Sequence, residues 1–331
     1  MTIRVTDTLT GELRPLEPIE PGHVRVYSCG PTVYGPAHVG NFRAFTFDDL
    51  LVRYLRFRGL RVTWVMNLTD VDDKIIKAAA AEGVGIGEIS TRYTKVFLED
   101  LATLGIRLPD VMPKATDNIE QMVALIQSLV DRGHAYRTDD GSYFFRIASW
   151  PEYGRLARLE RVEAADMRVG ERVESDEYGK DDVRDFAVWK GAKPGEPSWD
   201  TAIGPGRPGW HIECSAMSMR YLGESFDIHT GGIDLVFPHH TDEIAQARRP
   251  PASRSCATGS TTRSCSSAAR RWPSPRATSS ACRRSWRAGS RPGRCASRDL
   301  GPLPDDSSRS ARTRCRRPRR PSSASTPSWR R

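Results

Sequence analysis

Residues 38–41, His-Val-Gly-Asn, have the types and the position to bind a polyphosphate, because they lie between a strand pattern and the start of a helix pattern. Backbone N–H groups and the positive end of a helix dipole point at an anion in such a place. Gly40 would let a base or a phosphate approach the backbone closely, and an N–H of His38 could stabilise charge that grows on phosphate oxygens. The alternative is a capped loop with an ordinary surface histidine.

The elements that must position this loop are predicted to form a strand–helix–strand unit over residues 24–66. Residues 24–29 have the pattern of a short buried strand that ends at a Gly-Pro turn, and residues 61–66 have that of a second strand. Gly59 ends the helix between them. One apolar face of this helix is predicted by Phe47, Leu50, Leu51, Tyr54 and Leu55. A βαβ unit of this kind implies a parallel sheet.

Farther along the chain the pattern is less regular. Thr69 is placed to cap a helix that begins at Asp70. Residues 143–147 have a strand pattern, and a second amphipathic helix is predicted by Ile119, Met122, Val123, Ile126 and Val130. Residues 148–208 are polar and rich in Gly, Pro, Asp and Arg, so we interpret residues 121–205 as an insertion.

Six short segments carry a resemblance to a known family. They are Y-S-C-G-P-T-V-Y at 27–34, H-V-G-N at 38–41, N-L-T-D-V-D-D-K at 67–74, G-W-H-I-E-C-S-A-M at 209–217, F-D-I-H-T-G-G-I-D-L at 226–235 and F-P-H-H-T-D-E-I at 237–244. Together they resemble cysteinyl-tRNA synthetases, which are class I aminoacyl-tRNA synthetases. The resemblance extends over residues 1–247 and implies an α/β fold, in which an inserted connective subdomain interrupts a Rossmann-like, parallel-sheet catalytic domain.

The H-V-G-N segment matches the family's H-I-G-H element, with Asn41 in place of the last histidine. The resemblance implies that His38 and Asn41 are catalytic, and that both bind ATP together with Gly40, with Mg²⁺ accompanying the nucleotide. It also implies an amino-acid pocket lined by Gly30, Thr69, Trp210 and His229. From residue type alone, Trp210 and Thr69 could equally be a core aromatic residue and a helix cap.

The same resemblance implies one zinc ion per chain, bound by Cys29, Cys214, His239 and Glu243. The last two are four residues apart, a workable spacing on one face of a helix, and the ligand types are usual for zinc. Zinc strongly prefers a thiolate to a hydroxyl, so it could separate cysteine from serine without editing. Taken singly, a buried cysteine or a solvated His-His pair is an ordinary structural feature, and a closed structural zinc site is the alternative.

The reaction that the resemblance implies is the ATP-dependent activation of L-cysteine and its transfer to tRNA(Cys). Two other functions stay open at this point. A cysteine ligase acting on an amino-sugar acceptor would share the zinc and nucleotide elements. A non-catalytic RNA-binding or cysteine-binding module would use the basic C-terminal part of the chain.

Residues 248–331 differ in composition from the rest of the chain. They contain 22 Arg, no Lys and 3 Asp, whereas residues 1–247 contain 28 Lys and Arg against 38 Asp and Glu. The net charge of +9 is therefore the sum of −10 and +19. This part has two Leu and lacks Ile, Val, Phe, Tyr and Met, so it cannot bury a core, and we predict a disordered Arg/Ser/Pro-rich tail. It also lacks a K-M-S-K-S-like element, whose lysine the family uses in adenylate formation.

The amino acids absent from this tail have A or T at the second codon position, which indicates a GC-rich gene read out of frame. In the shifted reading, the codons for residues 272–279 can give M-A-K-S-P-G-N-F. Those for residues 248–253 can give E-A-A-T-G-K, and those for residues 253–264 can give K-P-F-V-R-Y-W-L-H-D-A-Q. All three strings are in register and resemble the family, so we predict a one-nucleotide loss near Ala247. The competing interpretation is an arginine-rich tail that binds RNA backbone.

The predicted organisation is a first catalytic half (residues 1–120), an inserted connective region (121–205), a second half with the zinc ligands (206–247) and the tail (248–331). The sequence has no run of about 18 apolar residues and no apolar signal-peptide core, which favours the cytoplasm and argues against a membrane partner. Because the lysine element and a helical anticodon-binding region are missing, we expect this chain to bind zinc and cysteine, to activate cysteine poorly, and to bind tRNA(Cys) weakly.

Overall fold

The computed structural model describes residues 2–159 and 184–247, together with the backbone of Arg263–Ser267. All of them fall in the first of the two units into which the chain divides, Met1–Ser274. The strands in this part are β1 (Arg4–Asp7), β2 (Glu12–Pro15), β3 (His23–Ser28), β4 (Arg61–Met66), β5 (Ala135–Arg137), β6 (Tyr143–Phe145), β7 (Phe186–Gly191), β8 (Gly206–Pro208), β9 (Ile228–Gly232) and β10 (Arg263–Ser267). The helices are α1 (Val39–Phe57), α2 (Asp73–Glu82), α3 (Ile86–Leu104), α4 (Ile119–Asp131), α5 (Trp210–Leu222) and α6 (Thr241–Ala247).

A parallel sheet lies at the centre of the part of the chain that forms the candidate site. Its strand order is β10-β9-β3-β4, and isolated parallel bridges from Val65 to Val111 and from Leu68 to Lys114 extend it beyond β4. The elements β3, α1 and β4 form the βαβ unit expected over residues 24–66, and β4 has the predicted bounds. The expected Rossmann-like parallel sheet is therefore confirmed.

A second, antiparallel sheet has the order β5-β6-β7-β8, with β5 to β7 inside the region interpreted as an insertion. Its buried residues Phe145 and Trp189 belong to the same hydrophobic cluster as Met122 of α4, Tyr27 of β3 and Ile212 of α5. The two sheets thus share one apolar core. The domain boundaries after residues 120, 205 and 247 stay predictions.

Helix α1 is present as expected, but it buries a different face. The apolar repeat predicts that Leu50 and Tyr54 are buried, whereas they are 63% and 44% exposed. The residues that α1 buries are Phe45, Asp48, Asp49, Val52 and Leu55. Asp48 hydrogen-bonds to Ser28 of β3 and Thr230 of β9, so polar partners in the sheet set the orientation of the helix and outweigh the apolar repeat.

Helix α2 begins later than expected, and Thr69 does not cap it. The N-cap is Asp72, whose side chain accepts a hydrogen bond from the backbone N–H of Lys74. Thr69 instead donates its hydroxyl to Glu213 at 3.0 Å. The expected Thr69 cap is therefore wrong, because an aspartate next to the helix is the better-placed acceptor and Thr69 has a buried partner.

Strand β10 lies within residues 248–331, where the composition predicts disorder. Its backbone pairs in parallel with β9, so the structure differs from that expectation over Arg263–Ser267. The rest of the predicted tail lies outside the described residues, as do residues 160–183 of the predicted insertion. Within residues 2–159 and 184–247, no helix has both the length and the apolar character to cross a membrane.

Candidate metal centre and nucleotide site

Four of the residues singled out from the sequence lie at or near the ends of the parallel strands. Cys29 and Gly30 follow β3, Thr69 follows β4, and His229 lies in β9 opposite Tyr27. The C-terminal edge of a parallel sheet is a usual place for a ligand, since the loops from neighbouring strands meet there. Helices α5 and α6 supply other candidate groups.

The four expected zinc ligands lie together and are buried. Each offers one ligand atom within 4.8 Å of the others, and the group consists of Cys29, Cys214, His239 and Glu243. The two sulfur atoms are 3.9 Å apart. Glu243 Oε1 lies 3.7 Å from Cys29 Sγ and 3.0 Å from His239 Nε2. Zinc bonds of about 2.0 Å to nitrogen and about 2.3 Å to sulfur put tetrahedral ligands about 3.3–3.8 Å apart. The three distances lie within about 0.3 Å of that range, so small side-chain shifts would fit the group to a small divalent cation.

Burial favours the neutral forms of these side chains. It raises the pKa of Cys29 and the pKa of Glu243 well above their usual values. For Cys214, the hydrogen bond with Cys29 lowers the pKa, but burial and the charges of Glu243 and Glu213 outweigh it, and the net shift is upward. A divalent cation stabilises thiolate and carboxylate forms. Binding of a cation here is therefore expected to release protons.

A chain of buried hydrogen bonds orients His239. Its Nδ1 lies 2.8 Å from Nδ1 of His211, whose Nε2 is 3.1 Å from Asp242 Oδ2. Tyr153 donates its hydroxyl to the other oxygen of Asp242 at 2.5 Å. A neutral His211 that donates Nε2–H to ionised Asp242 must accept at Nδ1 from His239. That leaves the His239 Nε2 lone pair facing Glu243, as a metal ligand requires. The sequence reasoning missed His211 and Asp242, which carry no local signal for this role.

His240 is a second histidine at the cluster that the sequence reasoning did not single out. It belongs to another buried four-residue group with ligand atoms within 4.8 Å, namely Cys29, His229, His240 and Glu243. Burial lowers the pKa of His229 well below its usual value and the pKa of His240 to about 4, so both rings are neutral. From the sequence alone, the neighbouring His239 and His240 could be a pair of solvated surface residues, but both are buried. The close approach of His240 to Gly231 of β9 is a tertiary contact that no local pattern encodes.

Two of the four expected pocket residues contact the cluster. His229 Nε2 is 3.3 Å from Cys29 Sγ, and the Trp210 ring stacks on His239 with ring centroids 4.4 Å apart. Trp210 is 38% exposed, whereas His229 is buried. Trp210 can therefore contact both the cluster and a molecule that enters from solvent.

The other two expected pocket residues have fixed partners beside the cluster. Gly30 donates its N–H to Asn67 Oδ1 at 2.9 Å, and a Cβ at this position would overlap the Asn67 carbonyl oxygen, so only glycine fits. Thr69 is engaged by Glu213, whose pKa burial raises well above its usual value. The sequence reasoning also missed Glu213, although it lies in one of the segments that carry the resemblance.

The loop at residues 38–41 forms a capping box at the start of α1. His38 Nδ1 accepts from the Gly40 N–H at 3.0 Å, and Asn41 Oδ1 accepts from the His38 N–H at 3.1 Å. Because Nδ1 is an acceptor, a neutral His38 presents an Nε2–H donor on an exposed ring. A Cβ at Gly40 would lie 2.7 Å from His38 Cε1, so glycine keeps that ring in place. Asn41, which departs from the family's pattern, therefore has a structural role here.

The chain is similar to known proteins over most of the described part. Residues 15–254 match a family model described as tRNA synthetases class I (C) catalytic domain. A cysteine–tRNA ligase of Koribacter versatilis is 54% identical over 247 residues, which are 75% of this chain and 49% of that protein. A cysteine–tRNA ligase of Alkalilimnicola ehrlichii is 52% identical over 257 residues, which are 78% of this chain and 53% of that protein. The chain spans about half the length of these curated relatives.

A solved structure also matches part of this chain. The methionyl-tRNA synthetase of Mycobacterium tuberculosis in complex with methionyl-adenylate has a TM-score of 0.49 and 16% sequence identity, over 68% of this chain and 54% of that one. The family match covers more than half of this chain and includes β3, β4, β9 and the buried cluster. The chain therefore belongs to the family of class I (C) tRNA synthetase catalytic domains.

Proposed function

We propose that this chain carries the cysteine-activating part of a cysteine–tRNA ligase. The observation that carries the proposal is the buried Cys29, Cys214, His239 and Glu243 cluster at the C-terminal edge of the parallel sheet. The reaction would transfer the AMP moiety of ATP to the carboxylate of L-cysteine and release pyrophosphate. It would then transfer cysteine from the adenylate to tRNA(Cys) and release AMP. The curated relatives are cysteine–tRNA ligases, which favours this function over an amino-sugar ligase or a non-catalytic module.

The cluster would hold one zinc ion. When bound, zinc supplies a strong preference for thiolate sulfur over a hydroxyl oxygen, whereas shape alone distinguishes groups that differ so little by about 10–200-fold. The protein's own side chains would confine the amino acid. Trp210 covers the cluster from the solvent side, and the absence of a side chain at Gly30 lets the Asn67 carbonyl oxygen pack against the backbone beside it.

The start of α1 would bind the phosphates of ATP. The exposed His38 ring would donate its Nε2–H to a phosphate oxygen, and the first-turn N–H groups would add the positive end of the helix dipole. The Gly40 N–H holds that ring at Nδ1, and Asn41 completes the capping box by accepting from the His38 backbone N–H. Mg²⁺ would accompany the nucleotide. Catalysis would then come mainly from positioning and charge stabilisation.

Calorimetric titration of the 331-residue chain with cysteine and serine tests this proposal. The chain is first stripped of metal with a chelator, then reloaded with Zn²⁺. Cysteine binding is expected to require Zn²⁺, and serine is expected to bind more than about 200-fold more weakly, beyond what shape supplies. His239→Ala should weaken the binding of zinc and, with it, the binding of cysteine.

His134→Ala is the matched control, because His134 is a partly buried histidine bonded to Ser149 and outside the cluster. It should leave zinc and cysteine binding unchanged. If cysteine binds the stripped and the reloaded protein equally well, the proposed role of the metal is wrong. Serine affinity close to that of cysteine would sink the proposed substrate.

We also propose tRNA(Cys) as the acceptor and the cytoplasm as the compartment. The support is the class of the curated relatives. Residues 248–331 have neither the lysine element nor an apolar pattern for a helical anticodon-binding region. Binding of tRNA(Cys) by this chain should therefore be weak.

A further inference from the structure

Two sets of buried ligand atoms overlap at the cluster. The first set is Cys29, Cys214, His239 and Glu243, and the second set is Cys29, His229, His240 and Glu243. We propose that the second set is an alternative position for the divalent cation, which keeps Cys29 and Glu243 as ligands in both positions. The inference rests on the proposed metal centre and adds His229 and His240 as ligands.

The spacing of the second set suits one cation. Cys29 Sγ lies 3.3 Å from His229 Nε2, 3.5 Å from His240 Nε2 and 3.7 Å from Glu243 Oε1. His229 Nε2 and Glu243 Oε2 are 3.5 Å apart. These four distances lie in the range of about 3.3–3.8 Å expected between tetrahedral zinc ligands. The second set is thus as compact as the first, in which the corresponding distances run from 3.0 Å to 3.9 Å.

Within the described residues, Nδ1 of His240 has no hydrogen bond that would explain why the ring is buried. Buried histidines usually bond through their ring nitrogens, but within the described residues no partner contacts His240 Nδ1. Its Nε2 faces Cys29 Sγ. A Cβ at Gly231 would lie 2.6 Å from the ring, so a glycine in β9 makes room for His240 at this place. A cation is the partner that would use Nε2.

Charge and ligand softness act in opposite directions on the two positions. The ionised first set carries two thiolates and one carboxylate, so a divalent cation leaves a net charge of −1. The ionised second set carries one thiolate and one carboxylate, so the same cation is neutralised. A neutral complex loses less free energy on burial, whereas two thiolates bind a soft cation better. Neither position is therefore favoured by both effects.

The first set is the better-oriented one and is therefore the resting position. His239 is held by His211 and Asp242 behind it, whereas no described residue bonds to Nδ1 of His240. Such supporting partners change metal affinity by about 10–100-fold. The second position should thus bind more weakly by about that factor, and it should hold the cation when Cys214 and His239 are removed.

The test uses Co²⁺ as the probe and the full 331-residue chain, and it reads absorption and stoichiometry. Wild type should bind one Co²⁺ with the charge-transfer intensity of two thiolates. The pair Cys214→Ala and His239→Ala should keep one Co²⁺, with the intensity of one thiolate and an affinity about 10–100-fold lower. Adding His240→Ala to that pair should abolish binding, whereas adding His134→Ala, the matched control, should not.

Loss of Co²⁺ from the Cys214→Ala/His239→Ala protein, with a wild-type circular dichroism spectrum and urea midpoint, would overturn the proposal. If that protein does not fold, the milder Cys214→Ser change serves instead. His240→Ala should weaken Co²⁺ binding in the Cys214→Ser protein and not in wild type. Equal effects in the two proteins would overturn the proposal. Two Co²⁺ ions per wild-type chain would also overturn it. If the wild-type chain binds no Co²⁺, the proposed metal centre itself is wrong. If wild type binds Co²⁺ but the double variant does not, only the second position is wrong.

Discussion

At the start of α1, the two nitrogens of the His38 ring have different surroundings. Nδ1 accepts from the Gly40 N–H inside the capping box, and Nε2 lies on the exposed side of the ring. The sequence predicts the second feature, because a histidine before a helix suits an anion. It does not predict the first, since histidine is not among the preferred N-cap residues. The same side chain therefore fixes the helix start and presents a donor there.

Substitutions at His38 should separate capping from the chemistry of the ring. His38→Ala removes the N-cap acceptor and should lower the free energy of unfolding by about 1 kcal/mol. His38→Asn supplies another good acceptor and should change it by less than about 0.5 kcal/mol. Urea denaturation followed by circular dichroism measures both. Equal losses in the two variants would show that capping is not what His38 contributes.

Asp48 is a buried carboxyl in α1 that is not among the candidate metal ligands. Burial raises its pKa from 3.8 to about 7, although hydrogen bonds with Thr230 and Ser28 oppose that rise. The folded protein thus binds a proton that the unfolded protein releases. The stability from this proton is fully present below about pH 4 and is lost as the pH rises to about 7.

Asp48→Asn should therefore change the pH dependence of stability. Asparagine keeps hydrogen-bonding capacity towards Ser28 and Thr230 and cannot ionise. Relative to wild type, the variant should gain about 2–3 kcal/mol between pH 5 and pH 8. Urea midpoints of both proteins at the two pH values give this difference. Other titrating groups are common to both proteins and cancel, so a difference that stays constant with pH would contradict the burial of an ionisable Asp48.

At the scale of elements, periodicity predicted which segments form helices and strands better than it predicted how they pack. The βαβ unit and α4 follow from local patterns, and α4 buries most of the face expected of it. The orientation of α1 does not follow, because its buried face includes Asp48 and Asp49. Likewise, Thr69 resembles a cap locally but bonds to Glu213, 144 residues away in sequence. Such partners exist only after the chain has folded.

A buried ion cluster connects α2 to the second sheet. Asp73 lies 2.8 Å from Lys190 of β7 and 2.6 Å from Arg207 of β8, and Glu196 lies 2.8 Å from Arg207. Lys190 and Arg207 are only 7% and 4% exposed. Burial alone would raise the pKa of Asp73, but Lys190 and Arg207 outweigh it and hold that pKa below its usual value. The cluster therefore joins the predicted insertion to the catalytic part through charge.

Asp73→Asn should destabilise the protein by about 3 kcal/mol, because it removes a carboxylate from two buried cations. Glu88→Gln is the matched control, since Glu88 forms an exposed pair with Arg92 in α3. That change should cost less than about 0.5 kcal/mol. Urea denaturation of the three proteins at pH 7 measures both effects. A loss as small as that of the control would mean that water screens the cluster.

At the scale of the whole molecule, the metal cluster combines residues from three separate regions of the sequence. Resemblance pointed to Cys29, Cys214, His239 and Glu243, and the structure brings them together. The resemblance did not point to His240, and spacing could not, because its position depends on contact with β9. The part of a site that reflects chemistry shared with relatives is thus visible in sequence. The part that depends on packing is not.

Strand β10 bears on the reading frame of residues 248–331. It pairs with β9 in a parallel sheet, where strands are normally apolar, yet its sequence is Arg-Ser-Cys-Ser-Ser. A cysteine codon begins with T and G. In the shifted reading, this T and G become the second and third bases of the codon at position 265. Whatever its first base, a codon that ends in T-G in this way encodes Leu, Met or Val. The shifted frame thus supplies an apolar residue within β10 without any choice of codon.

Resequencing the genomic DNA across the codons for residues 246–280 should therefore reveal one additional nucleotide near Ala247. A protein made from the restored frame should catalyse cysteine-dependent ATP–pyrophosphate exchange, because it regains a lysine element of the M-A-K-S-P-G-N-F type. The 331-residue chain should show little or none, while it still binds Zn²⁺ and cysteine. If the DNA matches the present reading and this chain exchanges pyrophosphate well, the frame hypothesis fails. Tight tRNA binding that disappears on deletion of residues 248–331 would instead favour an RNA-binding tail, because 22 arginines would then supply the phosphate contacts.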